Sequence, residues 1–159
     1  MRFASGISDA VNAASAAESA CQDVLEQLHG QPCHLACVFV STVYRASWPE
    51  LLAQIHRRLS PRVLIGCSGS GVIGGAQELE WAPGVSITAA HLPRVRLHPF
   101  LVRPDELEHS SPGGFWIDKI GAAPDANPVF VMCADPHTVQ PEHLLQELNA
   151  TYPRRPIIG

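Results

Sequence analysis

The chain has 159 residues, 46% hydrophobic and 16% charged, so it can enclose a core and is too apolar for a disordered tail. Its formal net charge is -4, and Lys and Arg form no run beyond the pairs Arg57-Arg58 and Arg154-Arg155, which excludes a basic nucleic-acid face. No stretch approaches the roughly eighteen consecutive apolar residues of a membrane span.

Taken in order, residues 9 to 28 place Ala10, Ala13, Ala14, Ala17, Cys21, Val24, Leu25 and Leu28 on one helical stripe, with Ser8 as the cap. His34 to Ser41, HLACVFVS, is a short apolar run that predicts a buried strand. Ser47-Trp48-Pro49-Glu50 opens a second helix with Leu51, Leu52, Ile55 and Leu59 inward, ended by Pro61. RVLIGC is the next strand, so these three elements form a β-α-β unit with a parallel pair. Gly84 to Leu92 and Val95 to Val102 are predicted as two strands, pairing as a hairpin through Pro93-Arg94. Residues 103 to 127, rich in polar, Gly and Pro residues around Phe115 and Trp116, are expected to be a long surface excursion. PVFVMCA, Pro128 to Ala134, is a further buried strand. A helix with Pro141 in its first turn and Leu144, Leu145 and Leu148 inward follows it. PIIG at the end starts like a buried strand, and strands commonly run about five or six residues, so the domain is expected to continue beyond Gly159. The order α-β-α-β-β-β-β-α-β predicts an α/β (mixed α+β) domain, a mixed sheet with flanking helices. No repeat is legible in the sequence.

The glycine-rich stretch GCSGSGVIGG, Gly66 to Gly75, is the most distinctive local feature. Gly69 to Gly74 satisfies G-x-G-x-x-G, but a dinucleotide site needs a long helix starting at the glycines, with an acidic residue about twenty positions on. Gly74-Gly75 and Pro83-Gly84 leave no room for that helix, and Arg94 and Val95 stand where the acid belongs. A Walker loop fails because no Gly-Lys-Ser/Thr follows. Cys67 at the strand end has two readings. It is a small buried side chain in a tight turn, or a nucleophile served by His91, His98 or His137. The eight histidines show no metal-ligand spacing on a predicted helix, so neither metal nor cofactor is expected. Asp135-Pro136-His137, past another strand end, is a turn fixed by Asp135 or part of a ligand site. If these strands are parallel neighbours, Gly66, Cys67, Ser68, Gly69, Ser70 and Gly71 share a rim with Ser41-Thr42, Asp135 and His137. Such a pocket suits an amino acid or small carboxylate. Glycine N–H groups would take its carboxylate, and Asp135 its ammonium. Five cysteines without a CxxC pair fit a reducing compartment. The N-terminal segment carries Asp9 and Glu18 and lacks a compact apolar core, so a cytoplasmic location is expected over a secreted one.

GCSGSGVIGGAQELEWAPGVSITAAHLP resembles the signature of the FIST N-terminal domain, and FASGISDAVNAASAA, CVFVS, CADPH and PIIG stand where that family has their counterparts. The resemblance implies a sensory domain of intracellular signalling proteins that binds a small molecule such as an amino acid. It also implies a partial domain here, with a C-terminal FIST domain downstream and a signalling output module such as a histidine kinase, chemoreceptor or cyclic-dinucleotide module as partners. It carries no catalytic residues across.

Overall fold

The computed structural model describes residues 1–135 and 137–159, and the chain divides into two compact units, Met1–Leu97 and His98–Gly159. The fold is α/β with a mixed sheet and flanking helices.

The first unit contains β1 (Arg2–Ser8), α1 (Ala13–Leu28), β2 (Leu35–Ser41), a 3₁₀ turn (Thr42–Ser47), α2 (Trp48–Leu59), β3 (Val63–Gly69), β4 (Gly71–Gly74), β5 (Gln77–Glu80) and β6 (Val85–His91). Its main sheet has the order β1-β6-β2-β3, with β2 and β3 parallel and β6 antiparallel to both β1 and β2. The predicted β-α-β unit is therefore present. Ala36, Val38 and Val40 of β2 and Val85, Ile87 and Ala89 of β6 meet Cys21, Val24 and Leu28 of α1 and Leu51 and Ile55 of α2 in one core. Each large aliphatic side chain buried there contributes about 1.5–3 kcal/mol.

Some expectations need correction. Ser8 does not cap α1; it closes β1, and Asn12 caps instead, its side chain accepting from the Ser15 N–H at 3.0 Å. The inward positions of β1 are Ala4, Gly6 and Ser8, too small and polar to read as a buried strand face. They are small because α1 lies close above: a Cβ on Gly6 would sit 2.2 Å from the Ala20 carbonyl oxygen. Residues 95 to 102 form no strand, because both edges of β6 are already occupied, by β1 and β2. On α2, Leu51, Ile55 and Leu59 are buried as expected, whereas Leu52 faces solvent.

His34, just before β2, is buried. Its Nδ1 accepts the Leu92 N–H at 2.7 Å, and its ring stacks on His91 with centroids 4.7 Å apart. Burial, assisted by the positive field of Arg62, holds its pKa below the ordinary 6.5. Protonation would also put a hydrogen on the nitrogen that must accept. The unfolded chain thus takes up this proton first as pH falls. The stabilisation by neutral His34 is complete above the ordinary value and is lost between it and the lower folded value. We expect the melting temperature to drop as pH falls from 7 to 5. The drop should be smaller in His34→Asn, whose side-chain oxygen keeps an acceptor without a titratable proton; thermal melts across that range provide the check.

The second unit contains α3 (Pro104–Glu108), α4 (Gly114–Ile120), a 3₁₀ turn (Pro124–Ala126), β7 (Phe130–Val131), α5 (Pro141–Thr151) and β8 (Ile157–Ile158), with β7 and β8 parallel. Residues 103 to 127 are not a surface excursion. Leu107, Trp116 and Ile120 pack with Phe130, Leu144, Leu148 and Tyr152 to form this unit's core. Leu144 and Leu148 of α5 point inward as predicted, while Leu145 is exposed. The strand expected over 128 to 134 pairs only at Phe130–Val131.

Candidate functional site

Parallel pairing of β2 with β3 sets Phe39 beside Cys67 and Ser41 beside Gly69, so two of the expected strand ends do meet. Ser41 is fully engaged. Its N–H donates to the Gly84 carbonyl at 2.8 Å, its hydroxyl donates to the Ala82 carbonyl at 2.8 Å and accepts from the Val43 N–H at 3.2 Å.

The glycine stretch is not a turn at its start. Gly69 ends β3 and Gly71 begins β4, and the chain reverses only at Gly75, whose φ is 57°. Gly71 pairs with Glu80, and the Ser70 carbonyl accepts from the Trp81 N–H at 3.2 Å. The β4–β5 hairpin folds back over the main sheet, where the Ser86 hydroxyl donates to the Ile73 carbonyl at 2.6 Å and the Gly75 N–H donates to the Ser5 hydroxyl at 3.3 Å. Two glycines permit this approach: a Cβ on Gly74 would lie 2.7 Å from Ser86 Oγ, and one on Gly84 would lie 2.6 Å from Val72 Cγ2.

Gly66 is the most constrained glycine of this stretch. Its φ is 154°, and a Cβ there would lie 1.8 Å from the Val38 carbonyl oxygen on the paired strand. The next residue, Cys67, is exposed, as is Ser68 on the opposite face of β3. At buried Cys21, loss of hydration pushes the thiol up to about 12, and burial also raises Cys33 and Cys37. His91 cannot serve Cys67 as a base. It ends β6 next to the Ala90–Leu35 pair, whereas Cys67 aligns with Phe39 at the other end of β2. Among the described residues, no group of three or more His, Cys, Asp or Glu is placed to hold a metal ion.

Asp135 and His137 belong to the second unit, and Pro136 lies outside the described residues. The Asp135 carboxylate accepts the His137 N–H at 2.9 Å and the Thr138 hydroxyl at 3.2 Å, the turn-forming arrangement anticipated for it. His137 lines an open cleft of about 440 Å³ with Glu108, Thr138, Gln140 and His143.

Behind His143 is a residue that the sequence reading missed. Glu147 is buried, accepts the Trp116 Nε1–H at 2.8 Å and the Ser110 hydroxyl, and stands 3.7 Å from His143 Nε2. The i,i+4 spacing of His143 and Glu147 was a usable signal, but nothing local links Glu147 to Trp116.

Among the described residues, no helix is long and apolar enough to cross a membrane. Two uncharacterized proteins of Mycobacterium tuberculosis, from strains CDC 1551 and H37Rv, are each 28% identical to this chain over 160 residues, covering 100% of it and 40% of their own length. The chain thus spans about 40% of the length of the curated relatives it matches. No solved structure matches. The sequence profile of the FIST N domain, a family associated with sensing in signal transduction, matches residues 34–159. That span includes β2 to β8, with the glycine stretch and both strand ends inside it; the chain belongs to the FIST N domain family.

Proposed function

We propose that this chain is a cytoplasmic, non-catalytic sensory domain that binds an amino acid or small carboxylate and works with a C-terminal FIST domain and a signalling output module. The observation that carries this reading is family membership over residues 34–159. The candidate contacts are Gly66, Cys67, Ser68, Gly69, Ser70 and Gly71 for the carboxylate end, with Asp135 and His137 for an ammonium or hydroxyl. A thermal-shift screen of amino acids and small carboxylates on the full-length protein tests it, because a ligand of the native state raises the melting temperature. For a zwitterionic hit, Asp135→Asn keeps one side-chain oxygen for the His137 N–H, gives up the acceptor of the Thr138 hydroxyl and removes the charge. Binding should weaken by about 1.5–3 kcal/mol. A screen without a single shift, or an Asp135→Asn protein that binds like wild type, overturns the assignment.

Exposure of Cys67 favours one alternative, a cysteine nucleophile. We expect neutral-pH alkylation to modify Cys67 readily while sparing Cys21, read by mass spectrometry of the intact and unfolded protein. Modification should lower ligand affinity by steric obstruction. Hydrolysis of an activated ester that Cys67→Ser abolishes would support the nucleophile instead.

A further inference from the structure

The β2–α2–β3 and β7–α5–β8 segments share three elements in the same order, although a 3₁₀ turn stands between β2 and α2 alone among the described residues. Each is a strand, a helix with proline in its first turn, and a second strand parallel to the first. Leu51, Ile55 and Leu59 are buried on α2 at the same spacing as Leu144, Leu148 and Tyr152 along α5 and its C-cap. Ser41 accepts the N–H of the residue two ahead, Val43, at 3.2 Å; Asp135 accepts that of His137 at 2.9 Å. Arg62 precedes Gly66 by the same interval that separates Arg155 from Gly159. The two glycines have φ of 154° and 155°, and a Cβ on either would lie 1.8 Å from a carbonyl oxygen of the paired strand, Val38 or Met132. The prolines, Leu51 and Leu144, Arg62 and Arg155, and the two glycines share a residue type; the other positions correspond in role alone.

In the first copy β2 has a strand on both edges: β3 parallel on one, β6 antiparallel on the other. In the second, β7 is hydrogen-bonded to β8 alone among the described residues. Phe130 and Met132 donate toward β8, to the carbonyls of Pro156 and Ile158, both at 2.9 Å. Alternation along a strand therefore turns the N–H and carbonyl of Val131 to the opposite edge. Val129 and Val131 there are 62% and 42% exposed. An apolar strand edge of this kind is a template for another strand.

We propose that the outer edge of β7 receives an antiparallel strand of the β6 kind, contributed by the polypeptide that follows Gly159 in a protein as long as the mycobacterial relatives. The source follows from the first copy: β6 comes downstream of Gly66, after the β4–β5 hairpin, and the corresponding position in the second copy is downstream of Gly159. This chain covers 40% of the relatives' length.

The test is amide exchange and cross-strand proton contacts by NMR on the isotope-labelled full-length protein. The Val131 amide should exchange about 100-fold more slowly than in the 1–159 polypeptide. Residues 129 to 133 should show antiparallel contacts to a segment beyond 159. If the 1–159 polypeptide is insoluble, the contacts alone decide. Contacts from this edge only to residues before 159, contacts to a second copy that strengthen with protein concentration, or no contacts at all would overturn the proposal.

Discussion

Gly66→Ala should be the most damaging single-methyl substitution in the first unit. The added Cβ would lie 1.8 Å from the Val38 carbonyl oxygen and 2.7 Å from its carbon, both backbone atoms of a strand hydrogen-bonded to β3. No side chain can rotate aside to relieve that clash. At φ 154° an alanine is also strained. The β2–β3 pair must separate or β3 must shift, at a cost of more than about 4 kcal/mol. For a chain of this size that lowers the melting temperature by about 10 °C or more. Gly75→Ala is the control. Its φ is 57°, but a Cβ there meets nothing within 4 Å, so only the backbone preference is lost, about 1 kcal/mol. Chemical denaturation of both variants measures the contrast, and similar losses would show that the β2–β3 contact is not what demands glycine.

Trp116→Ala should disable the second unit to a comparable degree. Trp116 is fully buried, its ring meets Phe115 edge-on with centroids 5.1 Å apart, and its Nε1–H donates to the buried Glu147 carboxylate at 2.8 Å. Truncation opens a cavity costing about 3–5 kcal/mol and takes a donor from a carboxylate that water reaches poorly. Trp116→Phe separates the two effects, keeping most of the volume while losing the donor, for about 1–3 kcal/mol. Combining Trp116→Phe with Glu147→Leu should recover part of that loss, since the apolar pair removes both the donor and the acceptor and the Ser110 hydroxyl keeps the Leu107 carbonyl at 2.8 Å. A double-mutant cycle by denaturant melts reads the coupling directly. Strict additivity would mean that the indole–carboxylate bond contributes nothing.

Patterns local in the chain were legible before the structure. The apolar run of β2, the proline-led starts of α2 and α5, and the β-α-β order of 35 to 69 are all set by neighbours within a few residues. What escaped depended on distant partners. β1 is made of Ala4, Gly6 and Ser8 because α1 passes overhead, a reason invisible from residues 2 to 8 alone. Trp116 reads, with Phe115, as one of two aromatics in a polar stretch until α5 supplies Glu147. At the candidate site, the strand end at Gly66 is legible in the sequence, but the glycines after it read as a tight turn. Extended glycine and turn glycine look alike in sequence, and only the Gly71–Glu80 pairing distinguishes them. For Asp135 the sequence allows both a turn and a ligand role, and its bonds to His137 and Thr138 account for the turn.

The placement of β1 has a bearing on how the protein is made. Arg2 through Ser8 pair with His91 back to Val85, so the first strand of this unit to be synthesised has no sheet partner until the unit's last strand, β6, is made. At about 5–20 residues per second, β1 waits roughly 4–16 s. During that interval β2, α2 and β3, which close over a much shorter span, can form a parallel pair that lacks its antiparallel neighbour. Appearance of β6 then completes both sides of itself at once, joining β1 to β2 across its width. Synthesis of this unit is thus a delayed closure, in which its oldest segment is among the last to be secured.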